Sequence, residues 1–333
     1  SPPRESNGNG GSGSPIGAVY VEMSNNLADF TASGFSFLYL AEPRLVVVRP
    51  HAGPTAGGSL ITLLGANFVP GQTSCRFGFR AVQATYLSVD AAQCLSPAHE
   101  SSDSYRVVVS ISTNGYDFTR AHLQFTYYAD VAVHFLRPAR GPQQGRTVVN
   151  VIGQGFVQSA SLKCMFDEKV TDAVFVSSTS LNCTAPALRS GSVALEVSIN
   201  AVDFSRSNVT FSYMTNVRVV LISPLGGPHR GSSIVSVVGI GILPSSTCRF
   251  GAVAALAATF VSGSELRCTS PSQLQGRSAI EVTSNLQDFT ADGLHFEYHG
   301  PWAVSRVQPE MGLVIGGTLV TVVGSGFVRG ARL

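Results

Sequence analysis

The sequence predicts an all-β protein made of tandem two-sheet sandwiches arranged end to end, and three recurrences carry that prediction. A turn-and-strand signature appears four times: Asn26-Leu-Ala-Asp29-Phe30, Asn114-Gly-Tyr-Asp117-Phe118, Asn200-Ala-Val-Asp203-Phe204 and Asn285-Leu-Gln-Asp288-Phe289. Each copy ends in a Phe-x-Tyr pair, namely Phe37 and Tyr39, Phe125 and Tyr127, Phe211 and Tyr213, or Phe296 and Tyr298. A Gly/Pro lattice also appears four times and a pair of cysteines three times. The Asp-Phe pair recurs after 88, 86 and 85 residues, so each unit is large enough to hold a core of its own, unlike the short repeats of solenoids.

Within a unit the elements follow in a fixed order. A β-branched strand opens it and runs into the lattice: Pro50, Gly53, Gly57, Gly65; Pro138, Gly141, Gly145, Gly153; Pro224, Gly227, Gly231, Gly239; Pro309, Gly312, Gly316, Gly324. Proline fixes φ and glycine permits positive φ, so the lattice reads as an edge strand turning sharply into a second strand. That second strand is "SLITLL", "TVVNVI", "SIVSVV" or "TLVTVV". It closes on a Gly turn such as Gly153-Gln-Gly155-Phe156, which lacks the third glycine and following helix of a dinucleotide loop. Cys-x-Phe, a short strand and a second Cys come next. The strands "RVVVSIS", "VALEVSIN" and "AIEVTSN" then alternate apolar with polar, the period of a half-buried strand. Nothing has helical period, and about seven short strands per unit indicate a sandwich.

The order Pro-x-x-Gly-x-x-x-Gly, strand, Gly-x-Gly-Phe, Cys-x-Phe-Gly, Cys, alternating strand and Phe-x-Tyr resembles the IPT/TIG family of immunoglobulin-like, early-set domains. Cys75-Arg-Phe77-Gly78 and Cys248-Arg-Phe250-Gly251 match closely, while Cys164-Met-Phe166-Asp167 departs at the glycine. The resemblance covers essentially the whole chain: a partial repeat at 1–41, complete repeats at 42–129, 130–215 and 216–300, and a partial repeat at 301–333. It implies the fold strongly and the function weakly, since such modules serve in receptor ectodomains, cell-surface proteins, some polysaccharide-active enzymes and some transcription factors.

Alignment places Leu333 opposite Ser74, and Ser1-Pro2 opposite Ser96-Pro97, so neither partial repeat closes a core alone. The expectation is an excerpt from a longer array. Its sharper rival is a domain shared between the ends of neighbouring chains, against which stands the loss of the 21 residues matching 75–95. The glycine- and serine-rich insert at 4–15 reads as a flexible loop. Complete repeats follow one another almost without spacer, as in Tyr128-Ala129-Asp130-Val131, which predicts a stiff rod gaining roughly 25 Å or more per repeat.

The six cysteines sit at equivalent positions, and the repeat favours Cys75 with Cys94, Cys164 with Cys183 and Cys248 with Cys268. Such bonds persist in an oxidising compartment. Buried free thiols are the alternative, and zinc is disfavoured because no Cys-x-x-Cys or paired histidine lies nearby. Asn182-Cys-Thr184 and Asn208-Val-Thr210 fit the N-glycosylation pattern, with Asn208 the better placed because Asn182 adjoins a paired cysteine. The recurrent Asp supplies one carboxylate per repeat, too few for calcium, and is expected to cap its own turn. The Phe-x-Tyr pairs read as core rather than as a sugar-stacking platform. Seven histidines lie at inequivalent positions, so no metal, cofactor or catalytic residue is nominated.

Charged residues are only 13% and the net charge is +2, which argues against electrostatic capture of nucleic acid or anionic lipid. The longest apolar run, 234–243, is half of a membrane span. The expectation is therefore a non-enzymatic extracellular structural protein, a rigid stalk or fibre wall carrying glycans and making self- or protein-protein contacts. By analogy, it resembles the repeated Ig-like regions of surface-appendage glycoproteins such as mastigonemes. The alternative is the ectodomain stalk of an adhesion protein or receptor, with an accessory region of a secreted polysaccharide enzyme third.

Overall fold

A computed structural model describes residues 17–100, 104–120, 122–254 and 256–327, all of it strand, turn or irregular chain with no helix among the described residues. The insert at 4–15 and the terminal residues aligned with positions 96–97 and 74 lie outside them. The chain divides into two compact units. One comprises Ser1–Phe135, Val151–Cys183 and Leu195–Val209; the other comprises Leu136–Asn150, Thr184–Ala194 and Thr210–Leu333, so the division runs through the second complete repeat.

In the first complete repeat one sheet orders its strands Arg44–Arg49, Leu60–Ala66, Ala91–Leu95, Thr85–Ser88. The facing sheet runs Ala52–Pro54, Gln124–Tyr128, Tyr105–Ser112, Ser74–Phe77, Arg80–Gln83. Neighbours are antiparallel except Ala52–Pro54, which lies parallel to Gln124–Tyr128. That short parallel edge is the lattice itself. Its separation from Arg44–Arg49, across the cis Arg49–Pro50 peptide, is where the chain leaves one sheet for the other. Cis peptides precede the equivalent Pro138, Pro224 and Pro309.

Alternation decides which side chains meet between the sheets. Ile61 and Leu63 point inward from one sheet, and Phe77, Val109, Ile111 and Phe125 from the other; all are buried in one cluster. The third complete repeat repeats this plan with Arg218–Ser223, Ile234–Ile240, Glu265–Thr269 and Ala258–Ser262 facing Gly226–Pro228, His295–His299, Gly276–Thr283 and Thr247–Phe250. The second complete repeat differs in one strand. Lys169–Ser177, nine residues of alternating pattern, pairs with Lys163–Phe166 at its start and with Ser180–Thr184 at its end, where the first repeat breaks at buried Ala84.

The described strands number nine in the first repeat and eight in each of the next two, more than the seven expected, because the lattice forms a strand of its own and the first repeat splits Arg80–Gln83 from Thr85–Ser88. In the partial repeats, Gly17–Tyr20 pairs with Ser36–Tyr39 and Ala303–Gln308 with Thr321–Ser325. Their apolar faces stay exposed, as expected of sandwiches lacking a second sheet.

Candidate functional site

The recurrent polar residues converge on the edge where one repeat meets the next. The asparagine, rather than the aspartate, holds each turn: Asn200 Oδ1 accepts from the Val202 and Asp203 N–H groups, as Asn26, Asn114 and Asn285 do in theirs. Asn200 Nδ2 donates to Asp203 Oδ2 at 2.6 Å, which fixes the carboxylate and leaves part of it facing outward. The residue after each Asn takes a left-handed backbone, with φ of 62° at Leu27, 78° at Gly115, 63° at Ala201 and 64° at Leu286. Only one of the four is glycine, so three turns hold a conformation that L-residues disfavour.

In two turns the outward groups reach the preceding repeat. The Ser59 hydroxyl donates to Asp203 Oδ2 at 2.6 Å, and Asn200 Nδ2 donates to the Ala52 carbonyl at 2.8 Å. One repeat later, Thr147 Oγ1 donates to Asp288 Oδ2 at 2.7 Å and Asn285 Nδ2 to the Arg140 carbonyl at 3.0 Å. These bonds are partly buried, and a hydrogen bond to a charged acceptor is among the stronger kinds. Ser59 and Thr147 are both 0% exposed. A lesser contact accompanies each junction: Asp130 Oδ1 accepts from the Ala56 N–H and Asn216 Oδ1 from the Gln144 N–H.

The lattice glycines make room for this. A Cβ on Gly53 would overlap Ser59 Oγ and the Phe125 ring, and one on Gly141 would overlap Thr147 Oγ1 and the Phe211 ring. The glycine therefore lets the hydroxyl lie against the backbone, aimed at the next repeat. Open clefts flank the two junctions, about 480 Å³ beside Gly57, Tyr128 and Asp203 and about 270 Å³ beside Pro142, Asn216 and Asp288. Tyr128 stands in the first with its hydroxyl unpaired. Burial, and then the Asp203 and Asp130 carboxylates, hold its phenol well above the usual tyrosine range.

Behind the turns, Arg76 lies over the Phe118 ring and bonds Ser110, and Arg249 lies over Phe289 and pairs with Glu281. The second repeat has Met165 at that place. Its Glu196 binds Ser205 Oγ and the Ser207 and Asn208 N–H groups instead. The Phe-x-Tyr pairs of the complete repeats lie in the core, their rings edge to face with centroids 5.0 Å apart. Burial raises Tyr127 to about 12, and its hydroxyl donates to the Pro97 carbonyl.

Of the residues singled out from sequence, the structure joins Cys75 to Cys94, Cys164 to Cys183 and Cys248 to Cys268, with Cα–Cα distances of 6.5, 6.1 and 6.1 Å. In the first and third repeats the bonded strands belong to opposite sheets, so the bond staples the sandwich through its core. Asn208 is exposed at the mouth of a strand, whereas Asn182 is half-buried within one. No group of three His, Cys, Asp or Glu that could hold a metal occurs among the described residues. No helix among them is long and apolar enough to cross a membrane, which leaves β-barrels unaddressed.

The hydroxyls at 59 and 147 are not singled out by the sequence reading. A signal for them exists: Ser59, Thr147, Ser233 and Thr318 each stand two residues after a lattice glycine.

Mouse Fibrocystin-L is 25% identical to this chain over 300 residues, covering 87% of the chain and 7% of the relative. Mouse Plexin-B2 is 25% identical over 219 residues, covering 60% of the chain and 11% of the relative. The chain thus spans a small fraction of these relatives' length. A solved plexin A4 full extracellular region aligns with 85% of this chain and 31% of its own at 17% identity, with a TM-score of 0.37. The family model of the IPT/TIG domain matches residues 43–127, 133–213 and 218–298, each inside one complete sandwich, and the chain belongs to that family.

Proposed function

We propose that this chain is a non-catalytic spacer in the extracellular region of a cell-surface protein, where latched IPT/TIG repeats hold whatever flanks them at a set separation. The observation that carries this reading is the repeated junction: two successive repeats each plant an Asn-x-x-Asp turn on a buried hydroxyl of the repeat before. A chain that needed freely pivoting repeats would gain nothing from such a contact. The disulfides support an oxidising compartment. Sequence similarity to plexins, one of which is represented by a solved extracellular region, favours a receptor-type ectodomain over a fibre wall. The mastigoneme likeness rests on the repeat pattern alone.

On this reading Asn208 carries an N-linked glycan. It is exposed, its N–H is held by Glu196 and Thr210 lies exposed two residues on, whereas Asn182 is tied into a strand. Secretion from eukaryotic cells followed by peptide mass analysis should find glycan at Asn208 and none at Asn182.

Small-angle scattering of the full chain tests the spacer reading. The wild type should give a sharply defined maximum dimension, and the double variant Asp203→Ala, Asp288→Ala a broader distribution. A wild-type profile typical of freely jointed domains would remove the proposal; long regular filaments in native material would favour the fibre wall instead.

A further inference from the structure

The two junctions use two of the chain's four lattice hydroxyls and two of its four turns. Asn26, Asp29, Asn114 and Asp117 are exposed, whereas Asn200, Asp203, Asn285 and Asp288, which are seated, are not. Ser59 and Thr147 are fully buried under their turns, Ser233 is half-buried and Thr318 is exposed.

Ser233 nevertheless sits in the same frame as the two occupied hydroxyls. A Cβ on Gly227 would overlap Ser233 Oγ and press on the Phe296 ring, as at Gly53 and Gly141. The Ser233 N–H donates to Ser270 Oγ at 3.1 Å, as the Ser59 N–H does to Ser96 Oγ. Gly231, at φ 81°, packs on the Ser270–Pro271 backbone as Gly57 packs on Ser96 to Ala98. The Gly226 carbonyl stands at the step where Ala52 and Arg140 accept the asparagine amide. Residues 301–333 carry the lattice of a further repeat but contain neither Asn nor Asp.

We propose that Ser233 and the Gly226 carbonyl form a preformed seat for an Asn-x-x-Asp-Phe turn, and that its occupant is the repeat begun at Ala303 when that repeat carries its second half. The turn's carboxylate takes the Ser233 hydroxyl hydrogen and its asparagine amide donates to Gly226. This rests on the spacer reading and adds a direction to it, since both seated turns grip the repeat before them.

The test is a Ser233→Cys variant in two chains: the present one, and one extended after Leu333 by its own residues 75–129, which complete the fourth repeat and supply the turn at 114–118. Reaction of the introduced thiol with an alkylating reagent should slow by about tenfold or more in the extended chain. Asp117→Ala in the appended copy alone should restore the rate. A second completion using residues 248–300 guards against one graft that does not fold, and mass analysis of the added disulfide reports folding in each. Equal rates in the present chain and in both extended chains overturn the seat. So does protection that grows with protein concentration in the unextended chain, which would make a second copy the occupant. Scattering on the same samples separates the two claims: a fixed particle whose introduced thiol is unprotected overturns the seat alone.

Discussion

At residue scale the junction turns on a few atoms whose worth is measurable. Asp203→Ala removes an acceptor from the buried Ser59 hydroxyl and from Asn200 at once, so it should destabilise the chain by about 2 kcal/mol. Combined with Ser59→Ala in a denaturant double-mutant cycle, the coupling should be about 1 to 2 kcal/mol, and the same analysis at Asp117, which is exposed, should give none. Coupling of zero at Asp203 would mean the contact adds nothing. The Asp-Phe pair is visible in the sequence, but the local rule of side-chain capping assigns the aspartate to its own turn, because that rule needs no partner. Its partner lies 144 residues away in sequence, and either serine or threonine serves, so neither distance nor identity marks it. The substitution of Met165 for the arginine over the Phe ring is the converse case. It shows in the sequence as a departure from Cys-Arg-Phe, yet only the structure shows Glu196 turning to the Asn208 loop instead.

At the scale of elements the pattern is more readily legible, because alternation, Gly/Pro spacing and the cysteine pairs are all local or strictly periodic. What escapes a sequence reading is the switch between sheets. Whether the stretch after Cys-x-Phe is one strand or two depends on packing at its middle: Ala84 is buried in the first repeat, while Lys169–Ser177 runs unbroken in the second. The bonds between the sheets should dominate the stability of each sandwich. Replacing Cys248 and Cys268 by serine should cost about 2 to 5 kcal/mol, read as a lower unfolding midpoint, with the junction at Thr147 and Asp288 weakened in step because the Asp288 turn belongs to the same repeat. A third repeat as stable without its bond as with it would refute this.

At the scale of the whole chain, the spacer role proposed above rests on the family assignment, the three complete repeats and the two recurring junctions. Scattering on the Asp203 and Asp288 variants addresses that role directly, since it alters the joints and leaves the cores alone. A further consequence follows from where the covalent bonds lie. Each joins cysteines 19 or 20 positions apart in sequence, so a complete repeat pulled open from its two ends cannot release that segment. Roughly 65 Å of slack per repeat is thereby withheld. In a spacer under tension, the reach of each complete repeat would be capped by thiol chemistry, and a reducing agent would lengthen it.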